Sequence, residues 1–266
     1  MTRDPLDDFT RTTFSFDGKE RAVYRQGEGT AVIVMAEIPG ITPAVASFAR
    51  RVVARGHTVY LPHLFGDPGA EMTTPGVVRS IVPACVAREF QAFALRTTAP
   101  AIDWLRALAR QAHAECGGPG VGAVGMCFTG GFALAMSTEP EMLAPVLSQP
   151  SLPIGPGRRA ADLGLSDRDL LRVKERAEAD DLCVLGLRFT GDRLVPPQRF
   201  ASLRRELGEN FIGVEIDSSA GNPWGHRRLA HSVLTEDLID DPGQPTRAAL
   251  DQVLQFLRDR LQVDSA

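Results

Sequence analysis

The chain is predicted to be an α/β protein: a doubly wound, mostly parallel sheet with helices on both faces. Three observations carry this expectation. Residues 30–36 (TAVIVMA) are continuously apolar, as in a central parallel strand buried on both sides. Strand and helix patterns alternate along the chain, which calls for right-handed crossovers between parallel strands. A lone cysteine, Cys127, stands at an abrupt strand-to-helix switch among small residues, Gly125-Met126-Cys127-Phe128-Thr129-Gly130-Gly131.

Taken in order, residues 13–25 read as a hairpin turning at Asp17-Gly18, a dipeptide that accepts positive φ. The apolar run 30–36 ends at Glu37-Ile38-Pro39-Gly40. Thr42 then caps a helix to about Arg55, with Val45, Phe48, Ala49, Val52 and Val53 at helical spacing. Gly56 stops that helix, and 57–61 is the next strand. Residues 62–77 form a Pro- and Gly-rich loop of the kind that lies over a site. Helical patterns follow at 83–94 and 99–115, the second with Ile102, Leu105, Leu108 and Ala109 on one face. Residues 120–124 are a short buried strand that runs into the Cys127 turn, and Phe132 begins a packed helix.

Residues 144–149 are a further strand, and 150–157 a link with three prolines and two glycines. Ser166 caps a charged helix with acids in its first turn. Residues 183–189 are a buried strand ending in Thr190-Gly191-Asp192. A helix over 196–207, a last strand over 211–216, a long connection over 218–231 and an amphipathic helix over 247–261 complete the chain. With no internal repeat, low-complexity tract or interdomain linker, one domain spanning 1–266 is expected, with 150–181 as a candidate lid.

Of the 266 residues, 44% are hydrophobic and 23% charged, the balance of a soluble globular protein. A formal net charge of −4 gives no support to nucleic-acid or anionic-membrane binding. No apolar run approaches the ~18 residues of a membrane span. The first residues are polar and acidic, without the apolar core of an export signal, so a cytoplasmic location is expected. Cys85, Cys116, Cys127 and Cys183 include no C-x-x-C pair, so no zinc site, other metal site or disulfide framework is expected. Cys85, Cys116 and Cys183 read as core thiols. No cofactor is expected, and the oligomeric state, monomer or homodimer, is left open.

The chemistry concentrates where strands end. A tight turn with strained backbone lifts a nucleophile above a sheet, which is where an α/β-hydrolase places it. The same Gly-x-Cys-x-x-Gly pattern also suits a buried cysteine that fills a gap. A nucleophile needs a base, and the base an orienting acid. Asp192 follows one strand and His231 lies in the connection after the last, which gives the chain order nucleophile, acid, base of that fold. Singly, Asp192 has the reading of a tight-turn residue bonding its own backbone. His231 has that of a surface or capping histidine, with His226 as a rival five positions earlier. His57, His63 and His113 read as structural or solvated. Glu37 directly follows an apolar strand, where an unpaired buried charge is costly. It either points to solvent at the sheet edge or faces the cleft of Cys127. The N–H groups of Ile38 and Phe128 would bracket a developing oxyanion.

These residues resemble the dienelactone hydrolase family of the α/β-hydrolase fold. Met35-Ala36-Glu37-Ile38-Pro39-Gly40 is similar to its strand end with Glu, and Leu61-Pro62-His63-Leu64-Phe65-Gly66 to its following segment. Gly125 to Gly131 matches the Cys elbow, Thr190-Gly191-Asp192 the acid turn and Ala230-His231-Ser232 the His turn. The resemblance runs from about residue 14 to 261, and its spacing to the apolar helix at 253–257 favours His231 over His226. It implies Cys127 as nucleophile, His231 as base, Asp192 as its orienter, and Glu37 as a group that generates or holds the thiolate. Ile38 and Phe128 supply the oxyanion N–H groups. The implied activity is cleavage of a small ester or lactone through an acyl-enzyme. Two rivals stand beside it: a hydrolase-like binding or sensing protein without turnover, and an acyltransferase to an acceptor other than water. Three features depart from the family. Thr129 replaces a glycine and would crowd the turn, Thr235 stands where an Arg for a substrate carboxylate is usual, and 150–181 is long.

Overall fold

Strand β3 (Ala31–Met35) sits in the middle of the sheet and is buried along its whole length. Its side chains divide by alternation: Ala31, Ile33 and Met35 join the core on one face, Val32 and Val34 the core on the other. This is why the run is uniformly apolar. The computed structural model describes residues 3–73, 76 and 100–262. The helix expected at 83–94 and Cys85 lie outside the described residues.

Eight strands form one sheet in the order β1-β2-β4-β3-β5-β6-β7-β8. Strands β1 (Thr10–Phe16) and β2 (Lys19–Gln26) are the expected hairpin, turning at Asp17 and Gly18, both at positive φ. β2 runs antiparallel to β4 (Thr58–Pro62). From β4 onward, through β5 (Val121–Met126), β6 (Met142–Ser148), β7 (Val184–Phe189) and β8 (Phe211–Ile216), every pairing is parallel.

Helix α1 (Pro43–Val53) starts on Thr42, whose hydroxyl accepts the Val45 N–H, and it buries Val45, Phe48, Ala49 and Val52. It shares one face of the sheet with α6 (Pro245–Leu261), while α2 (Pro100–Cys116), α3 (Gly130–Met136), α4 (Asp167–Ala179) and α5 (Pro197–Leu207) cover the other. The doubly wound α/β-hydrolase architecture expected from the sequence is the architecture observed. Within the segment 150–181, α4 buries Val173 and Ala177 in the core. That half carries a helix whose apolar residues recur at helical spacing on its buried side. Among the described residues, no helix is long and apolar enough to cross a membrane.

Candidate active site

Parallel pairing aligns the carboxyl ends of β3 and β5: Met35 faces Gly125 in the ladder. Glu37-Ile38 and Cys127-Phe128 therefore leave the sheet side by side. Ile38 and Phe128 each lie three positions beyond that last pair, which sets their main-chain N–H groups at equivalent steps. Cys127 has φ of 53°, in the left-handed region that a residue with a Cβ avoids. The turn is possible because its neighbours are glycine where they must be. A Cβ on Gly125 would lie 2.2 Å from the Thr129 carbonyl oxygen, and one on Gly130 would lie 2.6 Å from Pro150 Cα.

Thr129 does not crowd this turn. It is buried, its hydroxyl accepts the Met126 N–H at 2.9 Å, and it donates to the Met35 carbonyl at 2.9 Å. A glycine there would leave those groups without this partner, so the threonine staples the elbow to the end of β3.

His231 and Asp192, expected as base and orienting acid, meet in the structure. His231 Nδ1 lies 2.6 Å from Asp192 Oδ2, and Asp192 Oδ1 accepts the Leu194 N–H at 2.9 Å. Asp237 holds the backbone of this turn by accepting the N–H groups of His231 (2.8 Å) and Ser232 (3.1 Å). Nε2 of His231 is buried and has no hydrogen-bond partner. Burial acts to lower the His231 pKa, but the Asp192 carboxylate and then the Cys127 thiol act against it and carry it up to about 11. The imidazole is thus held in its protonated form within electrostatic reach of the thiol, the partner that a thiolate nucleophile requires. His226 has a different setting. Its ring stands edge-on to Phe189 with centroids 5.1 Å apart, and burial lowers its pKa against the pull of Asp237 and Asp217.

Glu37 lies just beyond the end of the central strand β3 and is 1% exposed, so it is not an edge carboxylate. Its hydrogen bonds run to the His231 loop and to Gln149. Ser232 Oγ donates at 2.6 Å, Thr235 Oγ1 donates to the other oxygen, and Gln149 Nε2 donates at 3.3 Å. Gln149 also accepts the Val233 N–H at 3.3 Å. Thr235, where the family's arginine is usual, is therefore spent inside the protein on Glu37.

Several of these groups escape sequence reasoning. Ser151, 24 positions after the cysteine, places its hydroxyl 3.5 Å from Cys127 Sγ and donates its N–H to the Cys127 carbonyl at 3.0 Å. Arg199 of α5 is buried and gives its hydrogen bonds to the main-chain carbonyls of Pro150, Pro153, Arg159, Asp162 and Leu194. Burial lowers its pKa to about 10, against the pull of Asp162 and Asp192. No motif marks either residue, because a serine in a Pro-rich link and an arginine on a charged helix are commonplace. Cys116 and Cys183, expected in the core, are half-buried free thiols at its margin. Among the described residues, no group of three or more His, Cys, Asp or Glu side chains is arranged to hold a metal ion.

A model of the dienelactone hydrolase family matches residues 21–156, just over half of the chain. Solved structures share the fold at low identity. One is a protein assigned as a dienelactone hydrolase in Klebsiella pneumoniae subsp. pneumoniae, with a TM-score of 0.61 at 18% identity over 93% of this chain and 97% of that one. The dienelactone hydrolase of Anabaena variabilis aligns with a TM-score of 0.58 at 16% identity, covering 96% and 98% of the two chains. A cold-adapted esterase from an Arctic intertidal metagenomic library gives 0.56 at 15% identity, covering 95% and 93%. No curated protein matches the chain.

Proposed function

Because the chain belongs to the dienelactone hydrolase family, we propose that it hydrolyses an ester or lactone of a small molecule through an acyl-enzyme on Cys127. The observation that carries the reading is Cys127 at an elbow with φ of 53°, within electrostatic reach of a His231 paired to Asp192 at 2.6 Å.

The steps need only groups of this chain and water. The Cys127 sulfur attacks the carbonyl carbon, and the C=O π pair moves to oxygen, toward the N–H groups of Ile38 and Phe128. Collapse of this intermediate breaks the C–O bond, and the departing alkoxide takes the proton from His231 Nε2. The neutral imidazole then takes a proton from water as that water attacks the thioester, and the second collapse returns the electron pair to sulfur. In a lactone the leaving alcohol stays attached to the product. Asp192 holds the ring in one tautomer and stabilises its charged form. Glu37 supports the site from behind, through Ser232 and Thr235 of the base loop. With Thr235 turned onto Glu37, recognition of a substrate carboxylate by this position is not part of the reading.

The test is a panel of activated esters and lactones on wild type and Cys127→Ala side by side. Loss of turnover by at least ~100-fold is expected, since nucleophilic and acid–base catalysis vanish together. Steady turnover by the alanine variant would remove Cys127 from the mechanism. Stoichiometric labelling of wild type without turnover would favour a sensing role.

A further inference from the structure

The loop after β6 brings a polar group to the Cys127 sulfur from outside the expected triad. Ser151 is 2% exposed, and among the described residues its hydroxyl has the Cys127 sulfur, at 3.5 Å, as its only side-chain hydrogen-bond partner. A buried hydroxyl directed at sulfur alone is an unusual use of a polar group, since sulfur of a neutral thiol is a weak acceptor and a weak donor.

The position is built, not incidental. Pro150 packs where Gly130 lacks a Cβ, so the loop approaches the elbow closely. The Ser151 N–H is tied to the Cys127 carbonyl at 3.0 Å. On the other side, Arg199 grips the carbonyl of Pro150 at 2.7 Å and that of Pro153, flanking the serine. The same guanidinium reaches the Leu194 carbonyl at 3.4 Å, two residues from Asp192. The loop that presents Ser151 and the loop that presents the acid are thus held from one buried side chain.

The geometry points to Ser151 as a further catalytic residue: its hydroxyl donates a hydrogen bond to the Cys127 thiolate and stabilises that form before acylation. The assignment rests on the proposed Cys127 acyl-enzyme chemistry. The direction of the bond follows from where the proton resides. In the thiolate form the sulfur has no hydrogen to give, so only the serine O–H donates. A hydrogen bond to the charged form of an acid favours that form. On acylation the sulfur becomes a neutral thioester, a poorer acceptor, so the bond is strongest in the nucleophile and is given up as the nucleophile is consumed. Charged groups near the thiol or its partners are His231 and Asp192 from the loops after β8 and β7, Glu37 from the end of β3, and Arg199 behind Pro150.

The experiment is the rate of Cys127 alkylation by iodoacetamide as a function of pH, with labelling mapped by mass spectrometry on the full-length protein. Wild type, Ser151→Ala and Ser151→Thr are compared, with melting temperatures beside them. Ser151→Ala should move the alkylation midpoint upward by about one pH unit, a roughly tenfold loss of thiolate on the rising limb. Ser151→Thr, which keeps the hydroxyl, should restore the midpoint. Ser151→Gly serves the same purpose should the alanine variant melt early. A midpoint unchanged in the variants that lack the hydroxyl overturns the assignment and leaves Ser151 a loop anchor through its N–H. Alkylation needs no turnover. A failed ester panel with a shifted midpoint would therefore overturn the hydrolase reading alone, and an active panel with an unshifted midpoint would overturn only the role of Ser151.

Discussion

His226 and His231 lie five positions apart in one connection and are both largely buried, yet their surroundings drive them in opposite directions. His226 faces the ring of Phe189, and burial lowers its pKa. His231 is opposed by the same burial, but Asp192 at 2.6 Å and the Cys127 thiol outweigh it. One histidine is therefore kept neutral and the other protonated. The difference is made outside the loop, by an acid that β7 delivers and a thiol that β5 delivers. The electrostatic state of each histidine is set by what the sheet brings to it, and little by its own sequence neighbours.

The largest effect that would break this contrast is on turnover. His231→Ala should lower kcat/KM on an unactivated ester by ~100-fold or more, the usual scale of general acid–base catalysis. His226→Ala should leave it near wild type. Should His226→Ala prove the more damaging, the pairing of loop to acid is wrong.

Glu37→Gln sharpens the contrast from below, because the carboxylate grips the loop at Ser232 and Thr235, next to His231 and away from His226. An isosteric amide would ordinarily be tolerated in place of a buried charge. Here the carboxylate accepts from three donors spread over both oxygens, and in the amide one of those two positions becomes an NH₂ group that cannot accept, so at least one donor loses its acceptor. The expected cost is about 1–3 kcal/mol in a denaturant titration, as for a buried donor left unsatisfied. Acylation in single turnover should slow at the same time. A variant as stable and as fast as wild type would reduce Glu37 to a passive carboxylate.

The smallest effect is the dependence of stability on pH. His231 has a folded pKa raised from 6.5 to about 11, so the stability it contributes is complete below about pH 6.5 and is lost as pH rises toward 11. His226 has the opposite sign: its pKa is lowered, so its contribution is present above about pH 6.5 and is lost as pH falls through its folded value. Melting temperatures of the two alanine variants against wild type should diverge accordingly, with the His231→Ala deficit narrowing in alkali and the His226→Ala deficit narrowing in acid. Parallel curves would contradict the electrostatic difference.

Much of this was legible in the sequence, for stated reasons. Fully buried strands announce themselves by unbroken apolar runs, as β3 does, and the Thr42 and Ser166 caps fell where side-chain oxygens precede helical spacing. The Asp192–His231 pair was legible because both residues follow strands in a fixed chain order. Glu37 was placed at the right strand end without its hydrogen-bond partners, since the sequence shows that a buried carboxylate needs donors but not that three of them come from residues 149, 232 and 235. The second half of the candidate lid reads as a surface insertion because it is a charged helix between turns, and the sequence does not show that Val173 and Ala177 are buried in the core. Ser151 and Arg199 could not be read at all. Their roles consist of distances to groups 24 and up to 49 positions away.

The hydroxyl of Thr129 has a consequence for how the elbow motif behaves as a piece of sequence. Its bond to the Met35 carbonyl exists only once β3 and β5 lie side by side. Residues 121–136 grafted onto another sheet would keep that tie only if the receiving strand offered a carbonyl at the position of Met35; otherwise the hydroxyl would be left with the Met126 carbonyl of its own motif, 3.0 Å away.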